Sequence, residues 1–249
     1  MKPIKEIFAE YDEFARNASF EEREDFLIKE CKKRDELSPE DTRGRAALYS
    51  ELASLYRNNR IFDKSEDTFA KAFAIIENPG TTQAFENSGC AACRRPKPLM
   101  DISDEYFTDY ATILNNYAGL LRLTKRFDEA INAFEKVEKM YNELGDATPS
   151  MKASAKNNLA LVYMDKKDFN KAEGLFEEAL SILLKDAVDA KYEIATTYGN
   201  LAVISYNKGL KDKAIEEGKK SIKTFKECVD KNNPALQGIE KFVELMEQG

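Results

Sequence analysis

The sequence contains no histidine and no tryptophan, and it has only four cysteines and seven prolines. Without histidine there is no Ser-His or Cys-His nucleophile pair, no imidazole metal ligand and no side chain that normally titrates near neutrality to serve as general base. No apolar run approaches the roughly 18 residues needed to cross a bilayer. The opening stretch MKPIKEIFAEYDEF carries acids where a secretory leader needs a continuous apolar core, so a cytoplasmic protein with no membrane partner is expected. Cys31, Cys90, Cys93 and Cys228 are too few and too scattered for a secreted disulfide framework. Cys31 and Cys228 are expected as buried or partly buried small apolar residues on helices.

What is present is a chain of 249 residues with 38 basic and 45 acidic side chains, a formal charge of −7. An acidic chain of this kind is a poor ligand for nucleic acid, so no nucleic-acid partner is expected. At 43% hydrophobic and 33% charged residues, the composition suits a soluble folded chain of one or two domains.

The strongest signal is an internal repeat. Four copies of one pattern start at Ala46, Ala111, Ala153 and Ala195, opening as AALYSELASLY, ATILNNYAGLL, ASAKNNLALVY and ATTYGNLAVIS. The last three starts are 42 residues apart; the first two are 65 apart, one repeat plus an insertion of 23. Position 8 is always alanine (Ala53, Ala118, Ala160, Ala202) and position 20 is again small (Ser65, Ala130, Ala172, Ala214). Positions 7, 11 and 24 are mostly large and apolar. This spacing predicts two antiparallel helices per unit. Small residues let the axes approach, and large ones fill the space around that contact. One such hairpin cannot bury its apolar face alone, so neighbours must stack. The fourth copy departs at Ser205, Gly218 and Ser221, which predicts looser packing of its second helix.

This pattern resembles the tetratricopeptide repeat, and the 42-residue spacing with the NNLALVY and NNYAGLL strings is similar to its kinesin-light-chain variety. The resemblance implies an all-α fold, a right-handed α-α superhelix (a solenoid) of antiparallel helix pairs. The expected organisation is a helix pair over 1–45, four units at 46–87, 111–152, 153–194 and 195–236 with an insertion at 88–110, and a capping helix within 237–249. Within 1–45, helices are expected at 3–16 and 20–36, with Phe8 and Ala9 mimicking positions 7 and 8 of a degenerate repeat. All seven prolines fall at expected helix ends or between helices, where they escape the interior cost of about 3 kcal/mol.

A helix advances 100° per residue, so positions 4, 7, 8 and 11 of each first helix share one face and positions 2, 5, 6, 9, 12 and 13 the opposite one. The resemblance implies that the second face lines a concave groove. Position 6 there is Glu51, Asn116, Asn158 and Asn200. Asparagine is a mediocre helix former, so its repeated use points to the amide. An amide can donate to the C=O and accept from the N–H of one peptide unit of an extended ligand. The competing reading is that these amides bond within the solenoid or face water. Asn115, Asn157, Thr112, Leu161, Asp165 and Tyr206 flank the expected peptide site, and Arg57 and Arg122 share position 12, where they could hold an acidic side chain. The carboxylate clamp of chaperone-binding members of the family needs a pair of groove lysines with asparagines; positions 2 and 5 of the first unit lack the lysine and carry Ala47 and Ser50, so recognition of a chaperone C-terminus is not expected.

The segment 78–100, NPGTTQAFENSGCAACRRPKPLM, holds a Cys90-x-x-Cys93 pair followed by Arg94, Arg95 and Lys97. Zinc would need four ligands, and a redox pair a sheet-containing setting, so packing of small side chains is the plainer reading. No phosphate-binding glycine loop, metal signature or nucleophile with a base is present. The expected function is therefore a non-catalytic scaffold with no cofactor that binds a protein or an extended peptide, as a monomer or weak homodimer. The alternatives are a peptide-sensing regulator that changes shape on binding, or a thiol protein using Cys90 and Cys93.

Overall fold

The computed structural model describes residues 1–78, 106–143, 147–186 and 190–248. Cys90, Cys93 and the basic residues after them lie outside the described residues. Among these residues every regular element is an α-helix. The chain divides into two compact units, Met1–Lys125 and Arg126–Gly249.

The first unit holds α1 (Ile4–Ala15), α2 (Phe20–Leu37), α3 (Thr42–Asn58), α4 (Phe62–Glu77) and α5 (Phe107–Leu123). α2 starts at a capping box, in which Ser19 Oγ accepts from Glu22 N at 3.2 Å and Ser19 N donates to Glu22 Oε2 at 2.8 Å. α3 and α4 meet at the small residues the repeat frame places there. Ala53 and Ser65 are fully buried, and Ser65 Oγ donates to Ala53 O at 2.8 Å. Ile7, Tyr11, Leu27 and Cys31 form one core with Leu48, Leu52, Leu55 and Tyr56 of α3. Each large side chain so buried contributes about 1.5–3 kcal/mol. The register of α1 differs from the expected mimicry. Ile7 and Tyr11, four apart, face the core, Phe8 is half-buried and Ala9 is exposed.

The second unit holds α6 (Phe127–Glu143), α7 (Pro149–Asp165), α8 (Phe169–Asp186), α9 (Lys191–Asn207), α10 (Lys211–Lys226) and α11 (Pro234–Gln248). Thr148 caps α7 through Met151 N at 3.2 Å, with Pro149 at the first helical position, where a missing N–H costs nothing. The expected loosening of α10 is not found. Ser205 and Ser221 are buried, Ser205 Oγ donates to Glu217 Oε2 at 2.6 Å, and Ser221 Oγ donates to Ala195 O at 2.7 Å. Gly218 admits α11, since a Cβ there would lie 2.4 Å from Val243 Cγ2. The polar and small residues of the fourth copy thus replace apolar packing with hydrogen bonds and a docked helix. Cys228, expected to be at least partly buried, is exposed, because it lies beyond the end of α10.

The same backbone device recurs at position 15 of all four copies. Arg60, Lys125, Lys167 and Gly209 adopt φ of 61°, 61°, 62° and 77°. This left-handed residue lets the chain fold back at the end of the first helix, satisfying its last carbonyls: Ile61 N donates to Tyr56 O, Asp168 N to Tyr163 O and Leu210 N to Ser205 O, each at 2.9 Å. Three of the four positions accept a side chain where glycine would be unstrained. Each first helix begins four residues ahead of the repeat frame, at Thr42, Phe107, Pro149 and Lys191.

Candidate peptide-binding groove

On α3, α5, α7 and α9 the face opposite the core is partly open. The position-6 residues Glu51, Asn116, Asn158 and Asn200 are all half-buried, while position 8 is fully buried throughout. The alanines at position 8 hold each helix against its partner, and that contact orients the amides away from the core.

In the first unit, α3 and α5 bring Asn116, Arg57 and Ser50 together. Asn116 Nδ2 donates to Ser50 Oγ at 3.3 Å, and Arg57 Nη1 donates to the main-chain oxygen of Asn116 at 2.8 Å. Gly119 makes room, since a Cβ there would stand 2.9 Å from Arg57 Nη1. Burial lowers the Arg57 pKa, Glu51 opposes that change and the Arg122 charge adds to it. Glu51 is shifted up by burial and by Asp12, with Arg57 and Arg23 acting against it. A cavity of about 170 Å³ opens beside these groups, lined in part by Phe8, Ala47, Glu51 and Thr112. Thr112 is exposed and donates from Oγ1 to Thr108 O at 2.9 Å. Asn115 and Arg122 are half-buried on α5.

In the second unit, Asn157 and Asn158 diverge in role. Asn157 Nδ2 donates to Thr197 Oγ1 at 3.0 Å across α7 and α9, and Thr197 Oγ1 donates onward to Glu193 O at 2.7 Å. The Oδ1 atom of Asn157 is buried with no partner among the described residues. Asn158 and Leu161 are half-buried, and Asp165 is exposed at the end of α7. Tyr206 is exposed and stands edge-on to Phe242 of α11, with ring centroids 5.7 Å apart. Asn200 faces a cavity of about 420 Å³ between α9, α10 and α11, whose walls include Tyr192, Val203, Phe225, Ile239 and Phe242. Phe242 and Tyr192 were not among the residues expected at the site. The available signal was the spacing, for Phe242 stands 42 residues after Asn200 and so occupies position 6 of a further frame.

Cys31 is buried, and burial pushes its thiol up to about 12. Among the described residues no three His, Cys, Asp or Glu side chains are placed to hold a metal ion, and no helix is long and apolar enough to cross a membrane.

Residues 111–146 and 151–227 each match the tetratricopeptide repeat. Two curated oomycete proteins are similar in part. The secreted RxLR effector protein RXLR-C07 of Plasmopara halstedii is 35% identical over 103 residues, 37% of this chain and 30% of that protein. The RxLR effector protein SFI4 of Phytophthora infestans is 31% identical over 134 residues, 52% of this chain and 36% of that protein. The chain thus spans about a third of the length of the curated relatives it matches. Among solved structures, BtubC (BKLC) from P. vanneervenii superposes with a TM-score of 0.63 at 18% identity, over 100% of this chain and 84% of that one. Bacillus thuringiensis PlcR, in complex with the peptide PapR7 and DNA, gives 0.67 at 14% identity, over 99% and 74%. The TPR-like repeats assigned to a kinesin light chain of Podosopora anserina give 0.55 at 16% identity, over 84% and 87%. At these identities the likeness is one of fold. The chain carries tetratricopeptide repeats over residues 111–146 and 151–227.

Proposed function

We propose that this chain is a non-catalytic interaction module that holds an extended peptide segment of a partner protein along the first-helix faces of its repeats. The observation that carries the reading is the half-buried asparagine repeated at position 6, Asn116, Asn158 and Asn200, on the face turned away from the core. A side-chain amide on that face can donate to the C=O and accept from the N–H of a peptide unit, which recognises an extended chain with little regard to its side chains. Arg57 and Arg122 add positive charge in the first unit, suited to an acidic residue of the ligand. Such a module needs no cofactor and works as a monomer or weak homodimer. The peptide-bound PlcR fold favours a second reading, in which the bound segment is a short signalling peptide and binding changes the conformation.

The test is a peptide-display selection on the full chain, followed by affinity measurement of the selected peptides. Asn158→Ala is expected to weaken binding by roughly 0.5–1.5 kcal/mol with little loss of stability. A folded Asn116, Asn158, Asn200 triple alanine variant that binds the selected peptides as tightly as wild type removes the groove from consideration. Small-angle scattering with and without the peptide separates the two readings, since only the second calls for a changed shape.

A further inference from the structure

The cavity between α9, α10 and α11 has three properties that go together. First, no charged side chain lines it; its walls include Tyr192, Val203, Phe225, Ile239 and Phe242. Second, the short hydroxyl side chains on its wall are already engaged: Thr196 Oγ1 donates to Tyr192 O at 2.9 Å and Ser221 Oγ to Ala195 O at 2.7 Å. The Asn200 amide differs, for it has no hydrogen-bond partner among the described residues, unlike Asn116 and Asn157. Third, the cavity is kept open by a glycine that packing does not require. A Cβ on Gly238 would meet nothing within 4 Å, although Gly238 lies inside α11, where alanine is the better helix former.

We propose that this cavity is a specificity pocket for one bulky uncharged side chain, aromatic or branched aliphatic, of an extended peptide, whose own backbone amide is bound by Asn200. The inference rests on the groove reading above and adds to it the class of residue selected. A charged side chain would lose its hydration against walls that offer no counter-charge. An apolar one gains burial, and the adjacent peptide unit supplies the acceptor and donor that Asn200 lacks. The volume, about 420 Å³, is at the small end of ligand sites and suits a side chain with its peptide group rather than a folded domain. Phe242 supplies an aromatic wall, and its T-shaped contact with Tyr206 restrains the ring.

The pocket can be tested without knowing the partner. Blocked amino acids, the N-acetyl N-methylamides of Phe, Leu, Gly, Asp and Lys, are titrated into the 15N-labelled full chain and followed by amide shifts. The Phe and Leu compounds are expected to bind at millimolar concentration, at least tenfold tighter than the other three, and to move Gly199, Asn200 and Gly238. Gly238→Leu, whose Cβ would meet nothing within 4 Å, is expected to fill the space and abolish these shifts while the remaining spectrum is preserved. Asn200→Ala is expected to weaken the Phe compound three- to tenfold. Equal response to all five compounds, or undiminished binding in folded Gly238→Leu, overturns the proposal. Selected peptides that bind wild type and Gly238→Leu equally also overturn it, and leave the groove standing. Blocked Phe bound here by a chain that selects no peptide supports the pocket and counts against the groove.

Discussion

The Arg57 guanidinium crosses from α3 to α5 and donates from Nη1 to the main-chain oxygen of Asn116 at 2.8 Å. One of the two arginines expected to greet a ligand is therefore also a tie between neighbouring helices. Arg57→Ala is expected to lower stability by about 1.5–3 kcal/mol, the usual worth of a hydrogen bond from a charged donor. Gly119→Ala is expected to be stabilising, by up to about 1 kcal/mol, only when Arg57 is already alanine, because its Cβ otherwise displaces the guanidinium. Urea unfolding of the two single variants and the double variant measures that coupling. Additive effects would show that the guanidinium does not occupy this place.

Gly218 is where α11 docks. A Cβ there would stand 2.4 Å from Val243 Cγ2, so Gly218→Ala is expected to cost about 1–3 kcal/mol despite the better helix propensity of alanine. In a Val243→Ala background the same change is expected to cost little. The four-member cycle, read by thermal unfolding, checks this, and an unchanged penalty in the double variant contradicts the proposed contact.

Two acids of the second unit should respond to pH in opposite directions. Glu173 accepts from Lys208 Nζ at 2.5 Å and Lys213 Nζ at 2.6 Å, and these bonds hold its carboxyl below the ordinary range. Its contribution is present above the unfolded-state pKa and is lost as pH falls through the depressed folded value. Glu217 is shifted up by burial, with Ser205 donating against that shift. The folded state then holds its proton more tightly than the unfolded chain, so stability declines as pH rises from the unfolded to the folded value. Glu173→Gln is expected to destabilise at pH 7 and to be nearly neutral in acid. Glu217→Gln is expected to stabilise at pH 7, with the gain shrinking toward pH 4. Urea midpoints from pH 4 to 8 decide both, and parallel profiles for the two variants contradict the assignment.

The described cysteines should differ in reactivity. Cys31 is buried against Leu27 and α3, with its thiol pushed up to about 12, whereas Cys228 is exposed past α10. Pulse alkylation at pH 8 with peptide mapping is expected to modify Cys228 in native protein at least tenfold faster than Cys31, and Cys31 fully only in denaturant. Comparable native rates would show that the α1–α2–α3 core opens readily.

Helix content and the pairing of helices were legible in the chain because both follow from local periodicity and from small residues recurring at fixed spacing. Ala53 facing Ser65 is an example: position 8 against position 20, both fully buried. Prolines marked helix boundaries for the same local reason, as Pro149 and Pro234 do at the starts of α7 and α11. The departures came where a residue's environment is set by an element distant in sequence. Ser205 and Ser221 read as weak packing, yet Glu217 and the Ala195 carbonyl absorb their hydroxyls. Gly218 read as a gap, yet Val243 fills it. The left-handed position 15 escaped notice because Arg60, Lys125 and Lys167 occupy it in place of glycine.

The sequence by itself determined that this is an all-α repeat protein with an asparagine recurring on one face of each of three first helices, since a period and a spacing are properties of the chain. How the asparagines of that face, Asn157 beside Asn158 included, are engaged was decided only by tertiary structure. Asn116 finds Ser50 across α3 and α5, and Asn157 finds Thr197 across α7 and α9. Asn200 looks instead into a cavity walled by α10 and α11. The physical reason is that a side-chain amide bonds to whatever stands within about 3 Å of it. That neighbour comes from helices tens of residues away, whose docking no local pattern encodes.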